Sequence, residues 1–98
     1  MIKTISIKVG EHRGNSRIWL ENNTVTECGF PVGGAMFVTY SEGKVTILPT
    51  GEGKGRKVSG KGTRPVIDLN SAKLSAVFAA GETVTVNYAT QAITITKN

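Results

Sequence analysis

The residues of this chain best suited to do chemistry are five cations in one short stretch. Lys54, Arg56, Lys57, Lys61 and Arg64 stand close together against a single carboxylate, Glu52. Glycine occupies positions 51, 53, 55, 60 and 62 among them. Ammonium and guanidinium groups on such a backbone can neutralise phosphates and release counterions. The affinity that results is salt-dependent and carries little sequence preference. The same charges suit an acidic protein surface, or a solvated linker that only keeps the chain soluble. The chain has 98 residues and a net charge of +5, of which residues 50–64 carry +4, residues 1–49 carry +1 and residues 65–98 none. Arg13 and Arg17 beside a polar turn complete the candidate set for binding nucleic acid or a partner: Arg13, Arg17, Lys54, Arg56, Lys57, Lys61 and Arg64.

Other constellations fall short of chemistry. Gly55, Gly60 and Lys61 imitate the start of a phosphate-binding loop, but Gly62 stands where Ser or Thr is needed and a strand follows where a helix is needed. His12 lies in a turn with no nucleophile pattern beside it and reads as an exposed polar residue. Asp68 has no second acid in its local pattern; it suits an ion pair with Arg64 or a backbone cap rather than acid–base work. One Cys and one His exclude an all-protein Cys/His zinc site. Cys28 excludes an internal disulfide, reads as a small buried apolar residue and suits a reducing compartment. Trp19, Phe37, Tyr40 and Tyr88 can stack on bases, although the two tyrosines hold matching strand positions and so suit a core. The expectation is a protein that is not an enzyme and uses no cofactor and no metal.

The elements that must position these residues are mostly strands. Residues 2–9 alternate with period 2, residues 11–15 form a polar turn, and residues 17–20 are a short apolar run. Asn22 or Asn23 caps a helical turn through Cys28, which Gly29 ends. Residues 35–40 and 44–48 flank a hairpin turn at Ser41, Glu42 and Gly43. Residues 50–63 read as a mobile basic linker, because five glycines disfavour a helix or a central strand. Residues 65–69 read as a strand, 72–78 as a short helix, and 83–88 with 92–96 as a last hairpin. No apolar run approaches the roughly 18 residues of a membrane span. The start lacks the continuous apolar stretch of a signal peptide, so a cytoplasmic location is expected.

Sliding the chain on itself by 48 residues matches Asn22 with Asn70, Phe30 with Phe78 and Gly33 with Gly81. It also matches Val38 with Val86, Tyr40 with Tyr88, Thr46 with Thr94 and Ile47 with Ile95. Both halves give the order strand, short helix, Phe-x-x-Gly turn, hairpin. Units this small cannot bury an apolar face alone, so two must share one core. The expectation is one mainly-β domain over 1–98: an edge strand at 2–9, repeat 1 at 10–49, the linker at 50–63 and repeat 2 at 64–98. The two repeats would close into one pseudo-twofold barrel.

On these residues each half resembles the swapped-hairpin domain of the AbrB/MazE-like superfamily, which includes the SymE-like proteins. The resemblance runs over Arg17-Ile18-Trp19-Leu20, Cys28-Gly29-Phe30-Pro31-Val32-Gly33, Met36 to Tyr40 and Val45-Thr46-Ile47. In the second half it runs over Val66 to Leu69, Phe78, Gly81-Glu82, Val84 to Tyr88 and Ile93-Thr94-Ile95. Coverage is residues 16–49 and 64–97. That superfamily builds a barrel from two chains and binds DNA through basic residues. The resemblance therefore implies a tandem duplicate in one chain that binds DNA, in transcriptional or antitoxin-like regulation of a bacterium, plasmid or phage, and so a place in the cytoplasm of a bacterial host cell. The segments around Lys57-Val58-Ser59 and residues 64–70 also resemble short modules of phages and mobile elements, some appended to DNA cytosine methyltransferases. That implies an alternative, an inhibitor that binds a host defence protein as anti-CRISPR or anti-restriction factors do. A SymE-like toxin acting on RNA is a third reading, for which the sequence offers no catalytic set. The chain is expected to be a monomer with an internal pseudo-dimer, with further homodimerisation open.

Overall fold

The computed structural model describes residues 3–21, 23–50, 56–61 and 64–97, with positions 56, 57, 59, 61 and 64 described as backbone only. The chain is mainly β. In order, the elements are β1 (Lys3–Lys8), β2 (Gly10–His12), β3 (Asn15–Glu21), α1 (Asn23–Glu27), β4 (Ala35–Ser41) and β5 (Lys44–Thr50), then β6 (Arg56–Lys57), β7 (Ser59–Lys61), β8 (Arg64–Asn70), α2 (Ala72–Val77), β9 (Thr83–Ala89) and β10 (Ala92–Lys97). Among the described residues no helix is long and apolar enough to cross a membrane.

Alternation decides which side chains face the core. Val45 and Ile47 of β5, Val84, Val86 and Tyr88 of β9, and Ile93 and Ile95 of β10 are buried, while the threonines between them face outward. Burying each such aliphatic side chain contributes roughly 1.5–3 kcal/mol. Two-residue turns close both hairpins, with Gly43 at φ 69° and Gln91 at φ 64° in corresponding places. α2 starts at Ser71, whose hydroxyl accepts from the Leu74 N–H at 3.2 Å, and Leu74 is its buried residue.

The strands lie in two antiparallel sheets. One has six strands in the order β1-β9-β10-β5-β4-β6, and the other four in the order β2-β3-β8-β7. They share one core, to which α1 and α2 add Val25 and Leu74, and the two Phe-x-x-Gly turns add Phe30 and Phe78. The sheets are not closed into a barrel, which corrects that expectation. The reason lies at two chain corners. Val9 leads from β1 in one sheet to β2 in the other, and Val58 leads from β6 to β7 in the same way. Each valine turns inward and bonds to a turn instead of continuing a ladder, and the strands that follow or precede it, β2, β6 and β7, are short edge strands.

The expected linker is also corrected in part. β6 pairs with Ala35 and Met36, and β7 pairs with β8 from Ser59↔Val66 to Lys61↔Arg64. Glycine is tolerated here because these are edge strands, and Val58 anchors them at 2% exposure. Residues 51–55, with Lys54, lie outside the described residues. The polar turn expected over residues 11–15 contracts to Arg13 and Gly14, both at positive φ, between β2 and β3.

The ladders of the two halves correspond in register. Gly10↔Arg17, Glu11↔Ser16 and His12↔Asn15 become Ser59↔Val66, Gly60↔Pro65 and Lys61↔Arg64 when each residue moves on by 49. The β4–β5 register becomes the β9–β10 register on moving by 48. Ile7↔Val84 and Lys8↔Thr83 correspond to Arg56↔Met36 and Lys57↔Ala35. Val9 accepts from the Gly81 N–H and donates to Glu82 O at 2.7 and 2.8 Å. Val58 does the same with Gly33 and Gly34 at 2.8 and 2.9 Å. The step from 49 to 48 falls just after the helices. Phe30 N–H bonds Val25 O, whereas Phe78 N–H bonds Leu74 O, and Gly29, at φ 100°, takes up the extra residue. The inward pairs of β3 and β8 are therefore Ile18 with Ile67 and Leu20 with Leu69, not the uniform matches of a single 48-residue shift. Contacts also run between the first and second halves of the chain: α1 packs on β8, α2 on β3, and β1 pairs with β9.

Candidate nucleic-acid interface

The candidate cations fall into two groups. Arg56 and Lys57 form β6 and Lys61 ends β7, so three of the seven follow one another along an edge that runs from the end of one sheet to the end of the other, while Arg64 opens the inner strand β8 next to it. Lys61 and Arg64 are ladder partners. Arg13 is exposed in the β2–β3 turn. Because β3 and β8 are antiparallel neighbours, that turn and the β7–β8 turn lie at opposite ends of the four-stranded sheet. The structure therefore does not gather all the candidates into one patch.

Arg17 is used differently. Its Nε and Nη2 donate to Asp68 Oδ1 and Oδ2 at 3.0 and 3.1 Å, a two-pronged geometry that planar guanidinium and carboxylate groups favour. Its guanidinium also lies over the Trp19 ring, 4.5 Å from the centroid. Hydrogen bonding to Asp68 holds the Arg17 pKa above its ordinary value. Asp68 thus pairs with Arg17, since Trp19↔Asp68 is a ladder pair and Arg17 is next along the same face; the expected pairing with Arg64 falls on a side chain outside the described residues. Trp19 Nε1 donates to Glu21 Oε1 at 3.2 Å. Two carboxylates therefore flank this aromatic, which disfavours phosphate beside it.

Other residues serve the scaffold. The Asn70 side-chain amide donates to the carbonyls of His12, Asn15 and Ser16 at 3.2, 3.4 and 3.1 Å, tying the β2–β3 hairpin to β8. Ser16 joins β3 to α2: its N–H donates to Ser75 Oγ at 2.8 Å, and its hydroxyl to Phe78 O at 2.6 Å. Tyr88 is fully buried, Tyr40 half-buried and Phe37 64% exposed. Burial pushes the Cys28 thiol pKa up, and Glu27 adds to the effect. Among the described residues no group of three His, Cys, Asp or Glu side chains is placed to hold a metal ion. Sequence reasoning missed the Asn70 and Ser16 ties, because they join residues more than fifty positions apart in sequence. It also missed the Arg17–Trp19 stack, whose only signal was their i, i+2 spacing in a strand. No family model, curated protein or solved structure matches the chain.

Proposed function

We propose that the chain is an internal duplication with exchanged elements, of the kind the swapped-hairpin superfamily builds from two chains, and that it binds DNA through its basic edge. The observation that carries the reading is a difference between corresponding positions. Arg56, Lys61 and Arg64 stand where the first half has Ile7, His12 and Asn15. The first half folds the same edge without those charges, so the fold does not require them. Cations on an edge strand also discourage strand pairing between molecules, but one or two suffice for that. Three along the edge with a fourth beside it suit a run of phosphates. In this reading Arg56, Lys57, Lys61 and Arg64 contact the backbone, joined by Lys54, and Arg13 adds a separate contact. Arg17 stays with Asp68.

The test is binding to duplex DNA over a salt series. Affinity should fall steeply with salt, with a slope of about −0.9 for each phosphate contact. Alanine at Arg56, Lys57 and Lys61 should flatten it by two to three contacts' worth. No detectable binding at low salt would sink the reading. It would favour the alternative, an inhibitor that binds a host defence protein.

A further inference from the structure

Three of the four sheet ends are short: β6 has two residues, and β2 and β7 have three each. The fourth end is β1, with six residues and unbroken alternation. Short edge strands discourage strand pairing between molecules, and a long regular one invites it. Among the described residues nothing pairs with the outer side of β1. The link from Thr50 to Arg56 starts three strands away from β1 and ends five away, too far for its length to reach this edge and return.

The backbone directions along β1 follow from the β9–β10 turn. That two-residue turn makes Ala89 and Ala92 a hydrogen-bonded pair. The N–H and C=O groups of Thr85 and Asn87 therefore point to β10, and those of Val84, Val86 and Tyr88 point to β1. Their ladder partners Ile7, Ile5 and Lys3 point back. The Val9 N–H, bonded to Glu82 O at 2.8 Å, continues that row. The backbone groups of Thr4, Ser6 and Lys8 thus point away from the sheet, and all three residues are exposed. The side chains leave a second pattern unfinished. Ile5 and Ile7 pack on the core but are only half-buried, whereas Val86 and Val84 opposite them are fully buried. The apolar layer stops part-way across β1.

A second copy of the same strand completes both patterns. Run antiparallel about a twofold axis at Ser6, it sets Thr4 against Lys8, Ser6 against Ser6 and Lys8 against Thr4. These are the residues whose backbone groups point outward, and they exchange about six hydrogen bonds. Ile5 then stands against Ile7 on the core side, twice over. Moving the axis to Ile5 or Ile7 leaves one hydrogen-bonded pair fewer. No lysine stands directly opposite a lysine, the arrangement in which like charges would oppose pairing.

We propose that β1 is a self-association edge, through which two copies of the chain join into one continuous sheet. The contact is a single strand pair, well below the area of a permanent interface, so the dimer is weak and reversible. Each chain carries +5, so salt strengthens the dimer by screening. The inference makes no use of DNA binding.

The test is sedimentation equilibrium of the intact protein from micromolar to millimolar concentration, paired with amide hydrogen exchange. The dimer fraction should rise with concentration and with salt. In dilute solution the Thr4, Ser6 and Lys8 amides should exchange fast and those of Ile5 and Ile7 slowly. On concentration the first three should slow by roughly tenfold or more. Ser6→Pro removes the central outward N–H, which an edge strand tolerates. It should keep the parent's circular dichroism and remain a monomer. Ser6→Asp, which sets two carboxylates against each other at the axis, should behave alike. A chain that stays monomeric at millimolar concentration in added salt would overturn the proposal. So would a dimer whose Thr4, Ser6 and Lys8 amides stay fast, since it would use another surface. Protection of these amides in the dilute monomer would mean that the chain covers the edge itself. A folded Ser6 variant that dimerises like the parent would equally refute it.

Discussion

The guanidinium of Arg17 is held on one side by a carboxylate and on the other by an indole face. The pair is about a third exposed, with side-chain exposures of 30% and 36%, so solvent screens it. Asp68→Asn should therefore shift the midpoint of urea unfolding only slightly. A large shift would mean that the pair supports the sheet. Cys28 is a stricter case. Burial keeps its thiol protonated in the folded chain, so ionisation favours the unfolded chain. The stability tied to this group is complete below the ordinary thiol pKa and is lost as pH rises above it. Alkylation by iodoacetamide should be slow in the native protein at mildly alkaline pH and prompt in denaturant. Fast native labelling would contradict the burial. Gly29 holds a left-handed conformation, and a Cβ there would meet the Gln91 side-chain amide. Gly29→Ala should cost about 1–2 kcal/mol for the backbone alone.

At the scale of elements, the corners at Val9 and Val58 make the sharpest comparison. Both are buried, at 1% and 2% exposure, and each makes the same two backbone bonds to a turn. Val9→Ala and Val58→Ala should lower the unfolding free energy by similar amounts, about 1–3 kcal/mol each. A neutral Val58→Ala would mean that residues 56–61 contribute no more than a linker. This was the element least legible in the sequence. Glycines among cations looked like a solvated loop, and one valine in the middle was too little apolar signal to reveal two edge strands. Strands with strong alternation, such as β5, β9 and β10, and the Ser71-capped α2 were readable because local pattern and burial agree there. β2 was not, since three exposed residues have no alternation to show. The cations were legible as residues. Their shared edge was not, because it depends on pairing with β4 and β8, far away in sequence.

For the whole molecule, strand pairings between the first and second halves of the chain make each depend on the other. β1 pairs with β9, β3 with β8, β5 with β10 and β6 with β4, so neither half closes a core alone. A protease site placed between residues 50 and 56 should, once cut, leave both fragments in one folded complex. Either fragment expressed by itself should be unfolded by circular dichroism. A half that folds alone would contradict this dependence. The same correspondence frames function, because it supplies an internal control: two edges with one architecture and different charge. The measurement that tests this most directly is the salt dependence of duplex DNA binding for two matched variants. One carries Arg56→Ala, Lys57→Ala and Lys61→Ala, and the other carries Lys3→Ala, Lys8→Ala and Arg13→Ala. The first should flatten the slope by about two to three phosphate contacts, and the second by no more than one. Equal slopes in the two variants would contradict a binding edge confined to the second half.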